Sequence, residues 1–255
     1  MAKPFLPTIL EAKAKEVAAL EMEELKPLRS TYRLYEFLKN HQKQLQVIAE
    51  VKKASPSMGD INLDIDILEQ AKRYEEAGAA MISVLTDPLF FKGDIDFLAR
   101  ISDKVTIPTL AKDFIIDEKQ IVRSRNAGAT VILLIVAALS PQRLKELYAF
   151  ATSLGLEVLV ETHNLSELDI AHQIGAELIG VNNRNLVTFD VDINTSLELS
   201  THFRDNRIYI SESGLFTKQD AQTVSPYFNA ILVGTALMQA ADPKEKIEEL
   251  SIDKS

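Results

Sequence analysis

Eight short apolar runs recur from residue 46 onward, and they constrain the fold more than any other feature. They are rich in β-branched residues, and their starts lie roughly 20 to 35 residues apart, the length of one strand and one helix with their loops. Eight such units predict a closed (β/α)8 barrel, the TIM barrel, within the α/β class. An open sheet with one misassigned strand is the alternative. The runs span 46–52, 81–86, 106–112, 130–136, 157–162, 178–183, 208–212 and 230–234.

The stretches between these runs predict helices that return the chain to the next strand. Residues 64–78, "DIDILEQAKRYEEAG", place apolar side chains at helical spacing. Four glycines stand two or three residues before a strand, where a left-handed residue ends a helix. They are Gly78, Gly128, Gly155 and Gly175.

The segment before the first strand predicts helices over 8–25 and 30–40, separated by Pro27. It is too short to form an independent domain. The predicted organisation is therefore a helical extension, 1–45, packed on one end of a barrel, 46–255, with the whole chain forming one domain.

Composition limits the partners. The net charge of −9 argues against nucleic acid or an anionic membrane as the main partner. The chain has no Cys, which removes disulfides, a thiolate nucleophile and Cys-based metal sites. No apolar run approaches the length of a signal peptide or a membrane span, so a cytoplasmic location is expected.

Polar side chains stand at the carboxyl ends of five predicted strands, where barrel enzymes place their chemistry. Side chains two residues apart share a face of a strand, so Ile48, Glu50 and Lys52 point together, with the charges nearer the barrel mouth. Ion pairs that only plug the barrel are the structural alternative, but burying an ion costs several kcal/mol. A functional cluster is therefore favoured. Its members are Glu50, Lys52, Lys112, Glu161, Asn182, Arg184 and Glu212.

The last two strands end in "SESGLF" and "LVGTALM". Glycine after each strand lets backbone N–H groups approach an anion, and barrel enzymes often bind phosphate with these two loops. Either motif alone is typical of a tight turn, but the two together predict a phosphate site. The candidates are Ser213, Gly214, Gly234 and Thr235.

Histidines and aromatic residues carry weaker signals. His163 follows Glu161, and an exposed loop residue and a catalytic residue are equally consistent with its position. The other three histidines lack the spacing of metal ligands, so no metal site is expected. Phe90 and Phe91 follow the second strand and are typical either of a core or of a platform for a flat substrate.

Eight segments in order resemble the strand-end motifs of the indole-3-glycerol phosphate synthase family, over about Val47 to Met238. The N-terminal "ILEAKAKEV" is similar to the extra helix of that family. The resemblance implies a carbon–carbon lyase of tryptophan biosynthesis that works without cofactor or metal. Its reaction converts 1-(2-carboxyphenylamino)-1-deoxyribulose 5-phosphate to indole-3-glycerol phosphate, CO2 and water. The segments are "AEVKKASPSMG", "FFKGD", "LAKDF", "VILLIVAALS", "LVETH", "IGVNNRNL", "ISESGL" and "ILVGTALM".

The resemblance also implies residue roles. Lys112 matches the general acid of ring closure, Glu161 the base of dehydration, and Lys52 a lysine that contacts the substrate carboxylate. Glu50, Asn182 and Glu212 match residues that orient these groups. Implied substrate contacts are Ser55, Pro56, Phe91, Phe114, Leu133, Arg184 and Leu186, and implied phosphate contacts are Ser213, Gly214, Gly234 and Thr235.

Ring closure requires an acid, because an aromatic carbon attacks a ketone and leaves an alkoxide. We hypothesise from the sequence that crowding by Lys52 lowers the pKa of Lys112 and so prepares it as this acid. Met58, Asn185 and Thr235 stand where the family frequently has Lys, Asp and Ser, which puts any electrostatic role of Met58 and Asn185 in doubt.

Two other functions stay open at this point. One is a sugar-phosphate isomerase barrel of the Amadori type, which gives no reason for lysines on the first and third strands. The other is an inactive barrel that only binds a phosphorylated ligand or a protein. The expected partner is a small phosphorylated substrate, and the expected state is a monomer, with a weak homodimer as the alternative.

Overall fold

The computed structural model describes residues 5–30, 32–52, 54–55, 59–60 and 66–254. Within these ranges the strands, in chain order, are β1 (Gln46–Val51), β2 (Ala54–Ser55), β3 (Gly59–Asp60), β4 (Met81–Leu85), β5 (Thr109–Lys112), β6 (Val131–Ile135), β7 (Glu157–Thr162), β8 (Leu178–Asn182), β9 (Ile208–Glu212) and β10 (Ala230–Val233). Eight of them form a closed parallel barrel in the order β1-β10-β9-β8-β7-β6-β5-β4, and β1 also pairs with β4. The predicted TIM barrel is confirmed, and the open sheet is wrong. The short strands β2 and β3 form a separate antiparallel pair.

Helices separate the barrel strands and cover the outside of the barrel. None of the described helices is long and apolar enough to cross a membrane. The helices are α1 (Phe5–Ala19), α2 (Leu34–Asn40), α3 (Ile67–Glu76), α4 (Pro88–Phe91), α5 (Ile95–Ser102), α6 (Glu118–Asn126), α7 (Pro141–Ser153), α8 (Leu165–Gln173), α9 (Asn194–Ser200), α10 (Lys218–Val224), α11 (Thr235–Gln239) and α12 (Pro243–Leu250).

Alternation along the strands divides the apolar residues into two layers. Ile48, Leu110 and Leu159 belong to the cluster inside the barrel. Val47 and Ala49 belong to the layer between the strands and the helices. The inward direction of the even-numbered residues of β1 is therefore confirmed, and Glu50 continues the inward row at the carboxyl end.

The four glycines that precede strands have φ between 81° and 102°. This left-handed conformation is strained for residues with a Cβ, so the predicted helix-ending role is confirmed. Helix starts carry matching signals, as in α3, where the Asp66 side chain accepts hydrogen bonds from the N–H groups of Leu68 and Glu69.

The segment before the barrel contains two helices, but they are shorter than predicted. The chain from Leu20 to Ser30 is not helical. Asn126 at the end of α6 accepts a hydrogen bond from Lys26 N and donates one to Glu24 O, both near 3 Å. Contacts with a distant part of the chain therefore hold residues 20–25 out of the helix predicted over 8–25.

The two helices also lie at opposite ends of the barrel, so the expectation of one end is wrong. The Glu157 carboxylate, at the start of β7, accepts hydrogen bonds from Leu34 N (2.6 Å) and Tyr35 N (2.9 Å) of α2. Helix α1 instead contacts the carboxyl ends of β4 and β5. The division at residue 45 stays a prediction.

A buried cation fixes α1 to the barrel mouth. Lys13 is 1% exposed, and its Nζ lies 2.7 Å from Asp113 Oδ1, 2.9 Å from Asp87 Oδ1 and 2.8 Å from Glu16 Oε2. The Thr86 hydroxyl donates to the other oxygen of Asp113 at 2.8 Å. Two loops after neighbouring strands therefore depend on one ammonium group for charge compensation.

The Lys13→Ala substitution tests this dependence. We expect the free energy of unfolding to fall by about 3 to 5 kcal/mol, because two buried carboxylates lose their cation. Urea unfolding measures the change. The control is Lys15→Ala, which removes an exposed pair with Glu11 and costs at most about 0.5 kcal/mol. Equal losses in the two variants would contradict the interpretation.

Candidate active site

Most of the predicted site residues meet in one pocket at the carboxyl end of the barrel. Phe5, Leu85, Asp113, Ile135 and Phe189 complete its lining. An adjoining cavity is lined by Gly214 and Gly234 and shares Lys52, Lys112 and Arg184 with the pocket. The predicted residues in the pocket are Glu50, Lys52, Phe91, Lys112, Phe114, Leu133, Glu161, Asn182, Arg184, Leu186, Ser213 and Thr235.

Among the predicted residues whose side chains the structure describes, Glu212 is the one that lines neither cavity. Glu212 is fully buried and lies beneath the pocket floor, in contact with Lys112. Ser55 lies in β2. Pro56 falls outside the described residues, as does Met58, and the predicted substrate contacts of Ser55 and Pro56 stay predictions.

Four charged groups form a network at the carboxyl ends of β1, β5 and β9. Lys112 Nζ lies 2.9 Å from Glu212 Oε2 and 3.5 Å from Glu50 Oε2. The other oxygen of Glu50 lies 2.9 Å from Lys52 Nζ. Both lysines are therefore held by carboxylates on the pocket side of the barrel.

The network sets the charge of Lys112. Burial lowers the pKa of Lys112, but the carboxylates of Glu212, Glu50 and Glu161 outweigh burial and raise it above its usual value. The hypothesis that Lys52 lowers this pKa is wrong, because Glu50 stands between the two ammonium groups. Lys112 is therefore an ammonium group over the whole physiological range.

The two acids beside Lys112 shift in opposite directions. Burial raises the pKa of Glu50, but Lys52 and Lys112 together lower it below its usual value. Burial and the charges of Glu161 and Glu50 raise the pKa of Glu212 to about 7, despite the opposing effect of Lys112. Glu212 is thus the acid of this network that changes its protonation near neutral pH.

Glu161 stands apart from this network, at the end of β7. Its Oε1 accepts a hydrogen bond from Asn182 Nδ2 at 3.1 Å and lies 3.1 Å from His163 Nε2. Asn182 is itself fixed, because its Oδ1 accepts the Arg184 N–H at 3.0 Å. Burial raises the pKa of Glu161, but His163 and Lys112 lower it to about 2. Glu161 is therefore an ionised carboxylate that lines the pocket.

The sequence left His163 open between an exposed loop residue and a catalytic residue, and it did not predict the contact with Glu161. The His163 side chain is only 11% exposed and joins Glu161 to Glu167. The signal was available, since residues 161 and 163 lie two apart, and an extended backbone places such side chains on the same side.

Aromatic side chains form another wall of the pocket. The Asp87 carboxylate caps α4 by accepting the N–H groups of Phe90 and Phe91. Phe91 faces Phe114 with ring centroids 6.1 Å apart, which agrees with a platform for a flat substrate. Phe5 and Phe189, whose ring centroids are 4.6 Å apart, also line the pocket, and the sequence did not predict them there.

The predicted phosphate loops have an unusual backbone. Ser213 has φ of 67° and Gly214 has φ of 79°. A left-handed serine is uncommon and is often found where the chain serves a ligand. These loops border the adjoining cavity, so the candidates lie within reach of the cationic groups of Lys52 and Arg184.

A sequence model of the family "Indole-3-glycerol phosphate synthase" matches residues 6–250. The chain belongs to this family. A Streptococcus mutans serotype c protein named indole-3-glycerol phosphate synthase is 77% identical over 254 residues, covering 100% of both chains. A protein of the same name from Streptococcus thermophilus is 76% identical, with the same coverage.

Solved structures of other families share the fold alone. A 3-hexulose-6-phosphate synthase from Salmonella typhimurium superposes with a TM-score of 0.64 at 14% identity, covering 81% of this chain and 96% of that chain. A thiamine phosphate pyrophosphorylase from Pyrococcus furiosus gives 0.60 at 16% identity, covering 83% and 95%.

Membership in the indole-3-glycerol phosphate synthase family confirms the main prediction from sequence. The chain is a decarboxylating carbon–carbon lyase of tryptophan biosynthesis. The isomerase of the Amadori type and the inactive barrel are not favoured. The roles of individual residues are not tested by these comparisons and stay predictions.

Gly234 has a second role besides its predicted phosphate contact. A Cβ there would collide with the Glu50 carboxylate and lie 2.7 Å from Lys52 Nζ. Its φ of −116° is open to other residues, so the space, not the backbone, requires glycine. Gly234 therefore leaves room for the Glu50–Lys52 pair.

The Gly234→Ala substitution separates site geometry from stability. We expect turnover to fall by about 100-fold, since displaced charges lose their alignment, while stability changes by less than about 1 kcal/mol. The control is Gly175→Ala, where φ is 81° and a Cβ meets nothing within 4 Å. That variant should lose about 1 kcal/mol of stability and keep its turnover. Indole fluorescence and urea unfolding measure the two effects, and full turnover in Gly234→Ala would refute the spatial role.

Proposed function

We propose that the chain forms indole-3-glycerol phosphate from 1-(2-carboxyphenylamino)-1-deoxyribulose 5-phosphate in this pocket. The observation that carries the proposal is an acid and a base in one pocket that also has an aromatic wall. Lys112 is an ammonium group held by two carboxylates, and Glu161 is an ionised carboxylate two strands away. The reaction needs both kinds of group beside a flat apolar ring.

Ring closure is the step assigned to Lys112. An aromatic carbon of the substrate attacks the ketone, and the oxygen gains negative charge as the bond forms. Lys112 gives this oxygen a proton. Its raised pKa keeps the proton in place before reaction, and an alkoxide is basic enough to take it.

Loss of CO2 is assigned to the apolar part of the pocket, with Lys52 at the substrate carboxylate. The ring carbon that formed the new bond carries this carboxylate. Breaking its bond to CO2 returns an electron pair to the ring and restores aromaticity. A neutral product is favoured among Phe91, Phe114 and Leu133, because their surfaces solvate a carboxylate poorly.

Dehydration is assigned to Glu161 as base. It removes a proton from the ring-closed intermediate. Lys52, which keeps its proton through ring closure, or Lys112 after it takes up a proton from solvent, protonates the departing hydroxyl, so that water leaves and the indole ring forms. Glu50, Asn182 and Glu212 hold the acid and the base in place.

The substrate phosphate is assigned to the adjoining cavity. Ser213, Gly214, Gly234 and Thr235 line it, and the nearby cations of Arg184 and Lys52 favour an anion. Leu186 and Leu133 contribute apolar contacts, and Ser55 and Pro56 remain predicted substrate contacts. We further propose a monomer that acts in the cytoplasm without cofactor or metal. The acid, the base and the aromatic wall all come from one chain, which supports the monomer.

Appearance of indole fluorescence on mixing protein with substrate tests the activity. Lys112→Ala should abolish this signal, because none of the other lysines that the structure describes lies at the end of β5. The dissociation constant of a reduced, unreactive substrate analogue, measured by calorimetry, should change by less than about tenfold, since phosphate and ring contacts remain.

Lys104→Ala is the matched control, because Lys104 is an exposed lysine outside the pocket. It should keep full turnover. Unchanged turnover in Lys112→Ala would refute the assignment of the acid. Substrate binding without any product in the unaltered protein would instead favour an inactive, ligand-binding barrel.

A further inference from the structure

We propose that His163 is a positioning residue that, with Asn182, occupies one oxygen of Glu161 and leaves the other oxygen to act as the base. This rests on the proposed role of Glu161 in dehydration. It adds a residue that none of the predicted site roles includes.

Both contacts of the Glu161 carboxylate converge on one atom. His163 Nε2 and Asn182 Nδ2 each lie 3.1 Å from Oε1. No described residue donates a hydrogen bond to Oε2. Since Glu161 lines the pocket, Oε2 is the oxygen available to a substrate proton.

The carboxylate of Glu167 holds the His163 ring in place. His163 Nδ1 lies 3.0 Å from Glu167 Oε2, and its backbone N–H donates to the same oxygen at 2.9 Å. Glu167 Oε1 accepts a hydrogen bond from Asn164 Nδ2 at 2.8 Å. The ring is therefore clamped between the strand end and the first turn of α8, so its orientation is fixed before substrate binds.

The contact with Glu161 is an ion pair rather than an aligned hydrogen bond. Nε2 lies within 3.1 Å of Oε1 but outside hydrogen-bond geometry. Burial lowers the pKa of His163, but Glu161 and Glu167 raise it to about 10, so the ring is an imidazolium at neutral pH. The other charges that face Glu161 are Lys112 and Glu212.

A purely local role would be to complete the first turn of α8. That turn already has its cap, because Asn164 Oδ1 accepts the Glu167 N–H at 3.0 Å. Stabilising the turn explains the contact with Glu167, but it does not require the second contact with Glu161. A base must present a defined oxygen at short range, and the second contact meets that need.

The first test does not depend on catalysis. Histidine ring signals of labelled protein are followed by NMR against pH, and His163 is assigned by the signal lost in His163→Gln. We expect the ring to stay charged past pH 8, with a pKa of about 10. In Glu167→Gln we expect a lower value, by about one unit or more. A His163 ring pKa at its ordinary value would contradict the proposed contacts with Glu161 and Glu167.

The second test measures kcat and KM against pH. In His163→Gln we expect kcat to fall about tenfold or more while KM changes less than about threefold, because the base is misplaced and the binding groups are not. Losing the cation should also raise the pKa of Glu161 from about 2 by about one to three units. The ratio of kcat at pH 5 to kcat at pH 7.5 should therefore be lower in the variant than in the unaltered protein.

Ser140→Ala is the stability control. It removes the N-cap of α7, which accepts the Arg143 N–H at 3.2 Å, and should cost about 1 kcal/mol without altering the pH profile. If His163→Gln behaves like this control in kcat and in pH profile, the positioning role is overturned.

Glu161→Gln distinguishes the role of the base from the role of the residue that positions it. Retained turnover would overturn the assignment of the base, and the present proposal with it. An inactive Glu161→Gln beside an unaffected His163→Gln would overturn the proposal alone. Loss of turnover in both variants, together with the shifted pH profile in His163→Gln, supports the positioning role of His163.

Discussion

The buried contact of Lys112 with Glu212 and Glu50 is the interaction on which the site depends. One ammonium group compensates two acids from different strands, and Glu50 in turn holds Lys52. Such a network is expensive to bury, so it requires a scaffold that gives it little freedom. The closed barrel does so by fixing the register of β1, β5 and β9. Close approach is then possible only because Gly180 and Gly234 carry no side chain against the Glu212 and Glu50 carboxylates.

The same charges separate the roles of the titratable groups. Lys112 lies among three carboxylates and keeps its proton, whereas Glu161 lies between Lys112 and His163 and stays ionised. Burial, together with the charges of Glu161 and Glu50, outweighs Lys112 and raises the pKa of Glu212 to about 7. An acid and a base can coexist a short distance apart when their surroundings move their pKa values in opposite directions. Neither group therefore needs a metal to hold its protonation state in the proposed chemistry.

Sequence reasoning reached the barrel and the inward charges because both follow from periods in the chain. Spacing of apolar runs gives the strands, and alternation within β1 places Glu50 and Lys52 at the mouth. Sequence reasoning failed where a property depends on the distances between side chains of different strands. The pKa of Lys112 depends on which charge comes closest, and Glu50 lies between the two lysines. Residues 20–25, at the end of the helix predicted over 8–25, are not helical because this part of the chain makes hydrogen bonds with Asn126, which no local pattern reveals.

The N-terminal extension belongs to the site in a physical sense. Lys13 on α1 binds Asp113, which directly follows Lys112, and Asp87, which caps the helix that carries Phe91. One buried cation thus connects the acid to the aromatic wall. A barrel without α1 would bury both carboxylates uncompensated, and the loops that carry them would have to open to water. Removing the extension would therefore loosen the acid and the ring pocket together, because they share one counter-ion.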